Sequence, residues 1–186
     1  MSKPALILLA ALCTSCAGQS PEVTEFLLRT DASPVRPAPD AATDVGIGIV
    51  TVASYIDDLG LVMESDQEAM QTARYNRWAE PLRESLLDFF AREISTAAGR
   101  AVGSRRLTED NWKTRINIHI DQLHGTSDGR AKLVASWSVI DAESRTVLAT
   151  GESADAEPLA GEGYPALVAS QKTLLRQLAA EIAATL

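Results

Sequence analysis

Residues 115–123 read RINIHIDQL, and in them Ile116, Ile118 and Ile120 alternate with Asn117, His119 and Asp121 behind a leading Arg115. Successive side chains of a strand point to opposite faces, so the three isoleucines share one face while the polar and charged groups take the other. The pattern predicts a strand with one face in a core and one toward water. Two runs continue in the same manner, 131–141 (AKLVASWSVID) and 146–153 (TVLATGES). Ser127-Asp128-Gly129 stands before the first of these, and Asp141, Glu143 and Ser144 stand between the two. Three consecutive strands separated by short turn-forming clusters predict an antiparallel meander.

Beyond the meander, Gly161 and Gly163 close a loop and Pro165 opens a helix whose apolar stripe is Leu167, Val168, Leu174, Leu175, Leu178 and Ile182. Before it, Pro81 fits the first turn of another helix, where its missing N–H costs nothing. Leu82, Leu86, Phe89, Phe90 and Ile94 then recur at helical spacing until Gly99. Further upstream, 45–53 (VGIGIVTVA) is a β-branched run of the kind expected for a strand buried on both faces. Residues 61–64 and 71–75 read as shorter strands and 24–30 (TEFLLRT) as a first one, while Pro34, Pro37 and Pro39 make 31–44 a loop. Strands, helix, three strands, helix is the order of an α+β domain: a mainly antiparallel sheet with two amphipathic helices packed against it.

At 186 residues the chain has room for one such domain plus a modest extension. Its 17 basic and 25 acidic side chains give a net charge of −8, with the basic residues scattered. Duplex binding needs a surplus of Lys and Arg against phosphate, so the composition argues against a nucleic-acid partner. A polybasic membrane-surface patch is absent as well.

The N-terminus reads as an address. Lys3 supplies a positive start, Ala5 to Leu12 an apolar run, and Cys13-Thr14-Ser15-Cys16 stands where cleavage is expected. That run is too short to span a bilayer as a helix. The ending resembles a bacterial lipobox, with Cys13 where Leu is usual, which makes 1–15 a lipoprotein signal peptide and Cys16 the lipidated first residue. An ordinary cleaved signal or a Cys13–Cys16 disulfide are the alternatives, and in every case no cysteine is left to staple the fold. Two or more acyl chains hold a protein stably on a membrane without spanning it. Residues 16–23 are then a short tether, at most about 28 Å when extended, and 24–186 the folded domain. Ala17 after the Cys favours the outer membrane by the general sorting pattern of such lipoproteins.

Signals for chemistry are weak. His119, Asp121 and His124 spell H-x-D-x-x-H, but His124 has opposite parity to the other two on a regular strand, so convergence on one metal ion needs a bend. Gly46-Ile47-Gly48 lacks the third glycine and the strand-to-helix context of a dinucleotide-binding turn. No G-x-S-x-G elbow is present, and adjacent carboxylates such as Asp57-Asp58 point apart in extended structure. The most distinctive stretch is 74–82 (RYNRWAEPL), at a strand-to-helix junction. There Trp78 can cap the core, Glu80 suits the positive end of the helix dipole and Arg77 can pair with a carboxylate. In the other reading, Tyr75 and Trp78 belong to an interaction surface, since aromatic residues and Arg are the usual anchors of such surfaces.

With these features together, the chain resembles the PqiC-type family of ABC-type transport auxiliary lipoproteins over nearly all of its mature length. Arg77-Trp78-Ala79-Glu80-Pro81-Leu82 stands as in the family, and Tyr55-Ile56-Asp57 followed by Gly60-Leu61-Val62 matches its Y-[LI]-D-x-x-G-[IL]-V stretch. Ala135-Ser136-Trp137-Ser138-Val139 is similar to its W-S-L strand, and 164–171 (YPALVASQ) to the opening of its last helix. Asp58-Leu59 departs from the Arg-Pro pair common there. The resemblance implies a non-catalytic lipoprotein without cofactor or metal, on the periplasmic face of the outer membrane. Its partners would be an MCE-domain protein, that protein's inner-membrane partner and further copies of itself in a ring, and its task the movement of lipid or other hydrophobic molecules between membranes. It also points to Cys16 as the anchor and to Tyr55, Asp57, Arg77, Trp78 and Glu80 as a docking or fold-defining cluster. A lipoprotein that structures or chaperones an outer-membrane assembly machine is the competing reading.

Overall fold

The computed structural model describes residues 21–32, 43–67, 69–104 and 112–186, so the signal segment, Cys16 and most of the proline-rich loop lie outside the described residues. Among the described residues eight strands form one sheet: β1 (Thr24–Phe26), β2 (Val45–Val52), β3 (Gly60–Glu64), β4 (Met70–Trp78), β5 (Val102–Ser104), β6 (Thr114–Gly125), β7 (Arg130–Asp141) and β8 (Val147–Pro158). Helix α1 (Leu82–Ala98) follows β4, α2 (Gly163–Ala183) ends the fold, and a 3-10 turn, Ser54–Ile56, links β2 to β3.

The alternating run lies in β6, the centre of the sheet. Antiparallel β7 and then β8 flank it on one side, as the meander predicts. On its other side it pairs in parallel with β2 and, at Met63 and Gly125, with β3. β5 adds to β2 in parallel, β4 to β3 antiparallel and β1 to β4 in parallel. The class is α+β, and the sheet is mixed where a mainly antiparallel one was expected. Side-chain periodicity carries no information on strand direction, and the chain returns along α1 before β5 and β6 lie down beside β2 in its own direction.

Both helices cover the same face of the sheet. Leu82, Leu86, Phe89, Phe90 and Ile94 of α1 are buried, as are the six stripe residues of α2. α1 packs over β2 and β5, α2 over β7 and β8, and the helices contact each other. Pro81 accepts the Glu84 and Ser85 amides at the start of α1, and Gly99, in the left-handed conformation (φ 63°), ends it. Ser95 ties that end to the sheet: its hydroxyl donates to the Ala91 carbonyl and accepts from the Val102 amide at 2.9 Å. Among the described residues no helix is long and apolar enough to cross a membrane.

Four strand expectations change. β1 stops at Phe26, since Phe26 pairs with Trp78, the last residue of β4, and no ladder remains beyond it. β4 is longer than expected and carries Arg77 and Trp78 within it, and β8 runs on to Pro158. β2 is not buried on both faces: a bulge between Ile47 and Ile49 changes its parity, so Val45 and Ile47 point into the core but Ile49 turns outward and is 53% exposed. Beyond the bulge Val50 and Val52 pair with the inward-facing Ile118 and Ile120, and Thr51 with His119 on the open face.

Candidate functional site

The five residues of the motif cluster lie around one end of the sheet, and each has a partner within the chain. Trp78 ends β4 at 4% exposure in the core, its amide donating to the Leu59 carbonyl at 2.6 Å. Arg77, one residue earlier, points the other way and donates from Nε and Nη2 to Glu25 Oε1 at 3.0 and 2.7 Å, tying β4 to β1. Glu80, just before α1, accepts from Arg29 at 2.6 Å and from the Ser85 hydroxyl at 3.2 Å. Asp57 accepts from Nε and Nη2 of Arg83 on its two oxygens, with Nε 2.8 Å from Oδ1, and this pairing holds its carboxyl below the ordinary carboxylate range. Exposed ion pairs contribute little individually. Together these pairs fix β1, the 3-10 turn and α1 around the buried indole.

Tyr55 reaches elsewhere. Its hydroxyl lies 2.8 Å from Nδ1 of His124, the rings meeting nearly edge-on. His124 is 1% exposed, and its Nε2, without a hydrogen bond among the described residues, stands 3.9 Å from Glu64. Burial pushes the His124 pKa down; nearby Glu64 acts against this, and Lys132 adds to it. Burial likewise pushes the Tyr55 hydroxyl up. Since the unfolded histidine titrates near its ordinary value of about 6.5, the unfolded chain binds the proton more readily than the folded one. Stability from this site is full above that pH and is lost as pH falls below it. The melting temperature is therefore expected to drop by a few degrees between about pH 7.5 and pH 5, and by less in His124→Gln. Equal drops in the two proteins, followed by circular dichroism, would remove His124 from the cause.

The second histidine sits on the open face. His119 Nδ1 is 2.7 Å from the Thr51 hydroxyl and its Nε2 3.2 Å from Asp121. The predicted parity difference between the histidines is cancelled by a bulge at Asp121, which sets His124 opposite Lys132. The rise of the strand, about 3.3 Å per residue, still keeps them apart, Tyr55 lying on His124 and Thr51 beside His119. Among the described residues no group of three or more His, Cys, Asp and Glu could hold a metal ion. The two glycines of 46–48 serve close packing: a Cβ on Gly46 would lie 2.0 Å from the Trp112 ring, and one on Gly48 would lie 2.7 Å from Asn117 Oδ1.

Sequence reasoning placed Arg115 at the head of the alternating strand and did not single out Arg145. The hollows on the sheet's open face gather around Ile49, and one of about 300 Å³ is lined by Arg115 and Arg145. The two arginines are 30 positions apart in the chain, so no local motif marks them.

A family model described as ABC-type transport auxiliary lipoprotein component matches residues 26–183. No curated protein matches the chain. A crystal structure of an uncharacterized protein superposes with a TM-score of 0.71 at 19% identity, covering 88% of this chain and 98% of that one. The crystal structure of protein XCC0632 from Xanthomonas campestris gives 0.69 at 18% identity, covering 86% and 92%. At such identities the structures establish a shared fold.

Proposed function

We propose, from the premise that this chain belongs to the family of ABC-type transport auxiliary lipoprotein components, that it is the anchored, non-catalytic subunit of an MCE-type intermembrane transport system. In this reading 1–15 direct export, Cys16 carries the acyl chains, 16–23 form the tether and 24–186 the working domain. The anchor holds that domain on the periplasmic face of the outer membrane. There it docks the distal end of an MCE-domain protein whose own partner lies in the inner membrane, and self-association places several copies around the assembly. Lipid or another hydrophobic molecule passes through the system, which maintains the barrier.

The observation that carries the reading is the extent of the family match, from the last residue of β1 to the last residue of α2. Tyr55, Asp57, Arg77, Trp78 and Glu80 act in it as the cluster that defines the fold and fixes the docking domain's shape, since each spends its polar groups or its apolar surface inside the chain.

In-cell crosslinking of the full-length lipoprotein, purification in mild detergent and mass-spectrometric identification of what is bound test the proposal. An MCE-domain protein is the expected companion. Recovery of a β-barrel assembly protein in its place would sink the transport reading and favour a structural or chaperone lipoprotein.

A further inference from the structure

The open face of the sheet carries an arrangement that the fold does not require. Arg29, Arg77, Arg83 and Arg176 are each paired with a carboxylate. Arg115 and Arg145 have no carboxylate partner among the described residues, yet they line the same hollow of about 300 Å³. The Nε of Arg115 is buried and has no hydrogen-bond partner among the described residues. A buried donor without an acceptor is costly, and an anion seated in the hollow would give the same guanidinium a counter-charge that the described chain does not supply. Guanidinium forks match the geometry of a phosphate group, on which two can converge.

The rest of the lining narrows the choice. Asp141 also borders the hollow, but its Oδ1 accepts from the Glu143 and Ser144 amides and the Ser144 hydroxyl, so its charge is engaged within the turn. Ile49 and Ile140 give the same hollow an apolar wall, and Val147 and Leu148, just after Arg145, are exposed. Ile49 and Asn117 are shared with a neighbouring hollow that adds the Ser138 hydroxyl. Positive charge, apolar wall and hydroxyl or amide groups side by side suit a phosphate that carries acyl chains on one side and a polyol on the other. A free phosphate would leave the apolar wall unused.

The geometry points to Arg115 and Arg145 as a binding site, on the sheet face opposite the helices, for the phosphate of an anionic glycerophospholipid headgroup. This deepens the reading of the chain as an envelope transport auxiliary and rests on it. The domain then touches lipid through its own side chains as well as through its anchor.

Calorimetric titration of the full chain in non-ionic detergent with dihexanoyl-phosphatidylglycerol, dihexanoyl-phosphatidylcholine and inorganic phosphate tests it. Saturable binding of phosphatidylglycerol is expected, at least about tenfold tighter than that of phosphatidylcholine, whose choline cation opposes the two guanidinium charges, or of inorganic phosphate, which leaves the apolar wall bare. Arg145 sits at φ 59°, a conformation Asn tolerates, so Arg145→Asn adds no backbone strain and should weaken binding by about tenfold. Arg115→Gln should do the same. Unchanged binding in both variants would overturn the location. Phosphatidylcholine bound as well as phosphatidylglycerol would overturn the role of charge, inorganic phosphate bound as well would overturn the lipid, and no binding would overturn the site. Crosslinking of the Arg115→Gln, Arg145→Asn double variant keeps this apart from the transport reading, which fails on loss of the MCE companion from the wild-type chain.

Discussion

Trp78→Ala is expected to lower the unfolding free energy by about 3–5 kcal/mol, the usual cost of deleting a large aromatic side chain from a core. Domains of this size have about 5–15 kcal/mol in total, so the variant should unfold at far lower denaturant, read by circular dichroism, and be poorly retained in cells. The indole is 4% exposed, at a position where β1, β4 and the segment before β3 meet. Losing it removes packing from the point that the Arg77–Glu25 and Glu80–Arg29 pairs can only trim. Trp78→Phe should recover most of the loss. Should Trp78→Ala instead melt like the wild type while losing its crosslinked companion, the indole would be a docking anchor that the packing does not need.

That choice was visible in the sequence as a choice and no further. R-W-A-E-P-L placed an aromatic residue, an arginine and a glutamate at a junction, and Pro81 with the Leu82, Leu86 and Phe90 spacing located α1, because a helix writes its burial in its own periodicity. The β6–β8 meander was legible for the same reason: short turns make neighbours in sequence neighbours in space. What the sequence left open is set by distant partners. Arg77 was expected to find a carboxylate, but that it is Glu25 depends on β1 lying parallel to β4, 52 residues away. Tyr55 and His124 stand 69 positions apart. The bulges in β2 and β6 each shift parity by one residue, which overturned both the two-faced burial of 45–53 and the opposite parity of the histidines. The hollow lined by Arg115 and Arg145 was hidden for the same reason, because it forms only once β7 lies beside β6 and β2 turns Ile49 outward.

Gly46→Val is expected to be the other severe change, and its logic is the reverse of a cavity. The space where a Cβ would stand is occupied by the six-membered ring of Trp112, which is itself buried. An indole cannot yield 2 Å by a small rotation as a long flexible chain can, so either β2 or the ring must leave its place. Overpacking of this kind costs about 1–3 kcal/mol and occasionally more. Gly48 supplies the comparison. Its absent Cβ faces the end of the Asn117 side chain, which can swing aside, so Gly48→Ala should cost far less than Gly46→Ala. A double-mutant cycle separates crowding from any intrinsic need for glycine. In a Trp112→Ala background, already weakened by the lost indole, Gly46→Ala should cost almost nothing, since the clash has gone and Ala is no worse than Gly in a strand. A full cost in both backgrounds, measured by denaturant unfolding, would mean that the backbone at Gly46 demands glycine for itself. The predicted strong coupling would instead make Gly46 the seat for one tryptophan, which closes that end of the open face and leaves the hollow beside Ile49 as its uncovered part.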